Sequence, residues 1–371
     1  MQLTRWGVLL AVVFLTGLGT CLAQTPAKVA EPFKLGTFEI DEQPKIGIVL
    51  RDSIVIELNR ANSELERSPM VIKFPMPAEM KELIARYDYG LSERIYQIVN
   101  TLVEGNRLTG AQRPSYVHDV AKVRTLAPVT PISMVNVAIN YYSHVNETAT
   151  PEQQKAAAEE RRKAPGKPYV FLKPVTSLIG NHDDILMPMD REKIDWETEI
   201  GVVMGRPAKY VSAQEARNYV FGYTMELDIS DRGGRPEKPP RHGSDWFLMK
   251  GHDTFAPLGP FIVPKEFMPD ISHLQQQLWV NGKLMMDGNS SDMINTVEEL
   301  IEWTTNVMTL QPGDVIAAGT PSGTGQGTSQ THSEPVFLKP GDKVEAKITG
   351  IGTLNVNVKA DPQARKNSSL R

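Results

Sequence analysis

The chain has almost no cysteine: Cys21 is the only one among its 371 residues. This excludes an internal disulfide framework, a zinc site built from cysteines and an iron–sulfur cluster, and it argues against thiol catalysis. Neither sign of charge dominates, since 40 Lys and Arg stand against 44 Asp and Glu for a formal net charge of −4. Because binding to nucleic acid calls for a clustered basic surface, we do not expect a nucleic-acid partner.

A long hydrophobic run is also lacking. The apolar stretch at residues 8–15 is too short to cross a membrane, which takes roughly 20 residues. It follows Arg5 and precedes Cys21-Leu22-Ala23, which is the pattern of a secretory signal, whereas a buried N-terminal helix would show a helix-period polar face. We therefore expect a signal peptide over residues 1–23 and export to the bacterial periplasm. Lipidation at Cys21 is the alternative, and only then would the protein be bound to a membrane.

The composition, with 40% hydrophobic and 23% charged residues, is that of a globular protein, and the length suggests two domains. Residues 24–125 are expected to form a small N-terminal domain. Alternating apolar residues predict strands within residues 33–58, with a hairpin turn at Asp52-Ser53. The apolar spacing over residues 77–103 predicts a helix.

The rest of the chain is expected to form a linker segment over residues 126–168, a larger domain over residues 169–361 and a flexible tail over residues 362–371. Residues 148–167 predict a solvated helix followed by a Pro-Gly breaker. The larger domain is rich in predicted strands, and one helix, at residues 296–308, interrupts them.

Three carboxylates could form a metal site. Glu197 and Glu199 stand two apart in a strand-like run and therefore point to one face, where they repel each other unless a cation lies between them. Asp228 ends a second strand-like run and could complete the site. Oxygen ligands suit Mg²⁺ or Mn²⁺, with Ca²⁺ as a further candidate. The alternative is a solvent-facing edge strand that carries two glutamates.

Three further segments carry candidate groups. If residues 140–147 are helical, His144 and Glu147 share a face, and a carboxylate that holds an imidazole makes it a better general base; an incidental surface pair is the alternative. Lys250 could donate to a substrate carboxylate or carbonyl, or could be an ordinary surface lysine. The glycine-rich turn around Thr320 has no Walker lysine, so it either contacts an anionic ligand through N–H groups and Thr320 or simply connects two elements.

Taken in order, these segments resemble the fumarylacetoacetate hydrolase family, which includes acylpyruvate hydrolases, oxaloacetate decarboxylases and related isomerases. The resemblance is clear over residues 171–358 and looser over residues 33–58. The motifs that carry it are Asn140-Tyr141…His144…Glu147, Phe171-Leu172-Lys173-Pro174, Trp196-Glu197-Thr198-Glu199, Leu227-Asp228-Ile229-Ser230, Asp253-Thr254-Phe255-Ala256-Pro257-Leu258-Gly259-Pro260 and Gly319-Thr320-Pro321-Ser322-Gly323.

The resemblance implies an α+β, mainly β fold, a mixed β-roll preceded by a small α/β domain, and a homodimer. It also implies that the linker over residues 126–168 includes a lid and that residues 169–361 form the catalytic domain. It also implies a role for each matching residue. Mg²⁺ or Mn²⁺ would be bound by Glu197, Glu199 and Asp228; the catalytic groups would be the dyad His144 and Glu147 together with Lys250; and the substrate contacts would include Arg232, Thr320 and Lys173.

The chain departs from the family pattern near the expected substrate. Ser143 stands where the family often has Asp, and Arg232-Gly233-Gly234-Arg235 replaces an Arg-Asp-x-Gln run. The extra cation, Arg235, would contact the substrate and favour a more acidic one. His182 is a further candidate contact, with an exposed loop histidine as the alternative.

The resemblance predicts a metal-dependent hydrolase that cleaves a C–C bond in acylpyruvate-type 2,4-dioxo acids. One alternative is a lyase or isomerase, such as a decarboxylase or tautomerase, that acts on a related small 2-oxo acid. The other is an exported protein that binds oxo acids through the metal without turning them over.

Overall fold

The computed structural model describes residues 28–234, 244–327 and 332–363. The predicted signal peptide with Cys21, the candidate contact Arg235 and the predicted tail from residue 364 onward lie outside these residues. Within them, none of the helices combines the length and the apolar character needed to span a membrane.

Strands dominate the architecture, and a single twelve-stranded sheet contains most of them. The strands are β1 (Lys34–Ile40), β2 (Gln43–Leu50), β3 (Ile54–Glu57), β4 (Val117–Asp119), β5 (Arg124–Leu126), β6 (Met134–Ala138), β7 (Tyr169–Lys173), β8 (Leu178–Ile179), β9 (Asp184–Met187), β10 (Ile194–Asp195), β11 (Thr198–Met204), β12 (Val220–Leu227), β13 (Ser230–Asp231), β14 (Ala256–Pro264), β15 (Gln275–Val280), β16 (Lys283–Asn289), β17 (Val315–Ala317), β18 (Lys343–Ile348) and β19 (Gly352–Ala360). The α-helices are α1 (Leu58–Leu65), α2 (Met80–Arg86), α3 (Ser92–Glu104), α4 (Pro151–Lys163), α5 (Trp246–Lys250) and α6 (Val297–Val307).

The large sheet has the order β4-β3-β2-β1-β14-β12-β11-β17-β6-β7, with β5 beside β1 and β8 beside β14. Most neighbours are antiparallel, but β17 runs parallel to β6 and β8 runs parallel to β14. A second sheet has the order β16-β15-β18-β19-β9, and β10 pairs with β13. The architecture is therefore α+β and mainly β, as the sequence predicted.

Two main cores stabilise this arrangement. The larger one joins the second sheet and α6 to the central strands, through residues such as Leu278, Leu300 and Val202. The other packs α1–α3 against β1–β3 and also against Leu258 and Val315 of the central strands. The N-terminal residues thus share one sheet and one core with the centre of the molecule, and the predicted boundary at residue 125 stays a prediction.

The local predictions are confirmed with two corrections, one of which is that the short helix α5 also interrupts the strands after residue 169, where only the helix at residues 296–308 was predicted. The strands β1–β3 cover residues 33–58, the β2–β3 turn contains Asp52-Ser53, and α4 and α6 lie where helices were predicted. The single helix predicted over residues 77–103 is wrong, because α2 and α3 are separated at Tyr89 and Gly90. Gly90 adopts a φ of 92°, which a right-handed helix cannot accommodate.

Candidate metal centre and active site

The three candidate metal ligands meet at one edge of the strand pair β11–β12. Thr198 at the start of β11 lies opposite Leu227 at the end of β12, so the residues just outside the pair, Glu197 and Asp228, are neighbours. The N–H of Asp228 donates to the carbonyl of Glu197 at 2.9 Å. Oxygens of Glu197, Glu199 and Asp228 all lie within 4.8 Å of one another, and all three residues are buried. The alternative of a solvent-facing edge strand is therefore wrong.

Buried cations surround two of these carboxylates. Lys250 Nζ donates to Glu197 Oε2 at 2.8 Å and to Asp228 Oδ2 at 2.5 Å. Lys173 Nζ donates to Asp228 Oδ1 at 2.6 Å, and Arg232 Nη2 donates to Glu197 Oε1 at 2.5 Å. Burial would raise the pKa of Glu197, but Lys250 and Arg232 outweigh it and hold this pKa well below its usual value. For Lys250, burial alone would lower the pKa, but Asp228 and Glu197 raise it by more. The net shift is upward, and the ammonium stays charged.

Glu199 is the carboxylate that lacks such compensation. Its Oε2 accepts from the N–H of Gly319 at 2.8 Å, and within the described part of the chain no cationic side chain forms an ion pair with it. Burial, followed by repulsion from Asp228 and Glu197, raises its pKa well above the usual value. Three buried carboxylates whose oxygens converge, one of them without a cationic partner among the described residues, offer only oxygen donors and fit a divalent cation such as Mg²⁺ or Mn²⁺.

The His144–Glu147 pair forms as expected, although not on an α-helix. Residues Tyr142–His144 make one 3₁₀ turn, and Asn146 with a φ of 57° then reverses the chain. His144 Nδ1 lies 2.5 Å from Glu147 Oε2, and both side chains are largely buried, so this is not an incidental surface pair. Burial lowers the pKa of His144, but the Glu147 carboxylate more than offsets it, and the net shift is upward.

The glycine-rich turn holds Glu147 in place. The N–H groups of Gly323 and Thr324 and the Thr324 hydroxyl all donate to its carboxylate, the last at 2.9 Å. Together with the N–H of Gly319 on Glu199, these donors serve the protein's own carboxylates rather than an anionic ligand. Of the two kinds of ligand contact predicted for this turn, the one through N–H groups is therefore replaced by contacts with Glu147 and Glu199, and the one through the Thr320 side chain remains a prediction.

The structure brings eight of the eleven predicted site residues to a single cavity: His144, Glu147, Glu197, Glu199, Asp228, Arg232, Lys250 and Thr320. Lys173 lies beneath it rather than in its lining, because its fully buried ammonium is bound to Asp228 and to the carbonyl of Ile229. His182 is exposed in the turn before β9, where its N–H donates to the carbonyl of Asn355 at 2.6 Å, and it does not line the cavity.

Two buried acids beside the site were not given a role from the sequence. Asp195 accepts from Arg232 Nε at 2.7 Å and so orients the guanidinium that also contacts Glu197. Glu226, opposite Glu199 on β12, accepts from Asn136 Nδ2 at 2.9 Å, and burial raises its pKa to about 7. The period of two along a strand was the available signal, since Asp195 is two residues from Glu197 and Glu226 is two from Asp228.

The fold and the site together define a metal-dependent enzyme with a buried three-carboxylate centre and a His–Glu pair. The family model described as fumarylacetoacetate (FAA) hydrolase C-terminal matches residues 133–359, which is more than half of the chain. The chain therefore belongs to the fumarylacetoacetate hydrolase family. The matched region includes the segment that carries His144 and Glu147.

Three similar proteins illustrate the range of the family. The oxaloacetate tautomerase FAHD2B, mitochondrial, of Bos taurus is 37% identical over 235 residues, which are 63% of this chain and 69% of the relative. A 5-carboxymethyl-2-hydroxymuconate delta-isomerase from Mycobacterium smegmatis is 27% identical with a TM-score of 0.61, covering 89% of this chain and 100% of that chain. A fumarylacetoacetate hydrolase from Exiguobacterium antarcticum is 26% identical with a TM-score of 0.65, covering 88% and 99%. The expected fold of the family is thus confirmed.

Proposed function

We propose that this enzyme hydrolyses a C–C bond in acylpyruvate-type 2,4-dioxo acids, with Mg²⁺ or Mn²⁺ held by Glu197, Glu199 and Asp228. The observation that carries this proposal is that the His144–Glu147 pair and the three carboxylates line the same cavity. A divalent cation bound there would supply Lewis-acid polarisation of the carboxylate and keto oxygens of a 2-oxo acid.

His144 is the general base of the proposed reaction. Glu147 holds Nδ1 and so fixes the imidazole, which leaves Nε2 to take a proton from water. The resulting hydroxide adds to the acyl carbonyl distal to the 2-oxo acid head, and the C–C bond then breaks to give a carboxylic acid and the enolate of pyruvate. The charged Lys250, held beside the metal centre by Glu197 and Asp228, stabilises the developing enolate charge electrostatically, and a proton from the imidazolium converts the enolate to pyruvate.

Keto–enol tautomerisation of oxaloacetate is the second candidate, and the 37% identity to a bovine oxaloacetate tautomerase favours it. The same pair would serve this reaction without a nucleophilic water. His144 would take a proton from C3 of the 2-oxo acid, and the enolate oxygen would be protonated in its place. Both reactions act on a substrate with a 2-oxo acid head group. The hydrolase breaks a C–C bond of that substrate, whereas the tautomerase does not.

The test is the loss of enol absorbance with a panel of acylpyruvates and, separately, with enol oxaloacetate, each with Mg²⁺ or Mn²⁺ and again with EDTA. Metal-dependent release of pyruvate and a free acid is the expected result. Conversion of oxaloacetate without pyruvate release from any acylpyruvate would overturn the hydrolase in favour of the tautomerase. Metal-dependent retention of these compounds without turnover would overturn both and indicate a binding protein.

The role of His144 is tested by His144→Ala, which we expect to lower hydrolysis by about 10²–10⁴-fold, the usual contribution of a general base, while metal content after dialysis is unchanged. The matched control is His273→Ala, because His273 is exposed and does not line the cavity. Full activity of His144→Ala would remove the pair from the mechanism.

We also propose, from the sequence pattern, that the enzyme is exported, with cleavage after Ala23, and that it is a homodimer. N-terminal sequencing of the protein from its native host and sedimentation of the purified protein test these two statements. An uncleaved cytoplasmic chain would contradict the first, and a monomer at micromolar concentration would contradict the second.

A further inference from the structure

One wall of the cavity consists of β7 and α5 side by side. Tyr169, Phe171 and Lys173 alternate along β7 and so point to one face, with Lys173 at the buried end. Trp246 and Lys250 lie one turn apart on α5, about 6 Å along its axis, and both line the cavity. The Trp246 ring lies 5.0 Å from that of Phe171 and 5.3 Å from that of Tyr169, while Lys250 Nζ lies 5.1 Å from the Phe171 ring centre. The wall therefore changes from charged to aromatic between the buried end and the mouth.

The mouth of the cavity also contains a strained apolar residue. Ile139, which follows β6, lines the cavity, is 47% exposed and adopts a φ of 50°. A positive φ is a clear outlier for a β-branched residue, and such strain is found mainly at functional sites. Ile139, Phe171 and Trp246 thus present a partly exposed apolar surface beside the catalytic groups, and none of the three belongs to the hydrophobic cores.

The cationic side chains that line the cavity limit which substrate tails it can bind. Apart from the imidazole of His144, Arg232 and Lys250 are the cationic side chains among the described residues that line the cavity. Both already bind carboxylates of the metal centre at 2.5–2.8 Å. Among the described residues, a second carboxylate on the tail of a substrate would therefore meet Ile139, Phe171 and Trp246 without a cationic partner, which is costly.

From this arrangement we propose that Ile139, Phe171 and Trp246 form a subsite for a planar, apolar acyl group. The preferred substrate is then a 2,4-dioxo acid with one carboxylate and an aromatic or conjugated tail. This inference rests on the proposed function and selects among its substrates. It also runs against the expectation that Arg235 favours a more acidic substrate, so one experiment decides between them.

The experiment compares kcat/KM for benzoylpyruvate, acetylpyruvate and oxaloacetate in the full-length mature enzyme with Mn²⁺. We expect benzoylpyruvate to be preferred over acetylpyruvate by at least about tenfold, which corresponds to about 1.4 kcal/mol. Trp246→Ala should bring this ratio close to one, and Trp246→Phe should keep most of it. The ratio is the readout because any displacement of Lys250 by the change lowers both values alike.

The matched control is Phe247→Ala, since Phe247 is the next residue of α5, is 82% exposed and does not line the cavity. Calorimetric binding of phenylpyruvate and pyruvate with Mn²⁺ tests the subsite independently of turnover, and the wild-type protein should bind phenylpyruvate at least about tenfold more tightly. Absence of turnover with this binding preference intact would overturn the proposed function alone. An unchanged ratio in Trp246→Ala, or a preference for the dicarboxylate oxaloacetate, would overturn the subsite.

Discussion

Lys173→Met removes the buried cation beneath the metal centre and keeps a side chain of similar length. Lys173 Nζ lies 2.6 Å from Asp228 Oδ1 and 3.0 Å from the carbonyl of Ile229, and its side chain has no exposed surface. The change leaves Asp228 with Lys250 as its remaining cationic partner among the described residues, beside Glu199, which forms no ion pair there. Removing one partner of a buried ion pair costs about 3–5 kcal/mol, and because Lys250 stays bound we expect the free energy of unfolding to fall by up to that amount without metal.

Urea denaturation in EDTA measures this loss, and Lys359→Met is the matched control. Lys359 also forms an ion pair, with Asp184 at 2.7 Å, but its side chain is 61% exposed. Exposed pairs contribute at most about 1 kcal/mol, so the control should lose far less stability. Saturating Mn²⁺ should restore part of the loss in Lys173→Met, because a bound cation neutralises the same carboxylates.

The same variant separates two roles for Lys173. If it positions Asp228, metal affinity should fall by about 10–100-fold, as is usual when a group that orients a ligand is removed, with little change in KM at saturating metal. A loss of stability no larger than that of Lys359→Met, with unchanged metal affinity, would refute the positioning role. A raised KM alone would return Lys173 to the substrate contacts that the sequence implied.

Three shorter predictions concern the remainder of the site and the sheet. Burial lowers the pKa of His144 and Glu147 raises it, with a net upward shift. Because a general base acts only when it is deprotonated, kcat/KM should fall on the acidic side with an apparent pKa above about 6.5. Glu147→Gln should move this fall to lower pH. A metal concentration of 100 times Kd should raise the free energy of unfolding by about 2.7 kcal/mol, which corresponds to a rise in Tm of about 3 °C for a chain of this length. Glu199→Gln should abolish this rise in a thermal melt. Gly222→Ala places a Cβ about 2.2 Å from the carbonyl oxygen of Val263, so the free energy of unfolding measured in denaturant titrations should fall by about 1–3 kcal/mol or more. An unchanged midpoint would contradict the strand register.

The metal centre was the part of the site that the sequence predicted best. Glu197 and Glu199 share a face because of the strand period, and this holds whatever the strand packs against. The partners of these acids were not predictable in the same way. Lys173 and Asp228 are 55 residues apart, and the pairing of Lys250 with both Glu197 and Asp228 depends on where α5 lies against β13. Contacts of that kind follow from tertiary packing.

The errors have the same origin. A positive φ at Gly90 divides the helix that the apolar spacing predicts, because periodicity reports which face is buried and not whether the backbone continues. His144 and Glu147 meet through a 3₁₀ turn and Asn146 instead of an α-helix, so the pair was correct while its local structure was not. His182 was expected either to contact the substrate or to be an exposed loop histidine, and its position outside the cavity agrees with the second alternative.

The division of the cavity into a charged end and an aromatic mouth has a consequence for how substitutions combine. Since α5 carries both Trp246 and Lys250, a shift of this short helix moves the aromatic mouth and the ammonium at the metal centre together. Residues that share one element or one network are typically coupled by about 0.5–3 kcal/mol. The effects of Trp246→Ala and Lys250→Met on kcat/KM should therefore not add, whereas those of Lys250→Met and His273→Ala, a change at an exposed residue outside α5, should. Additivity in the first pair would mean that the head and the tail of the substrate are recognised independently.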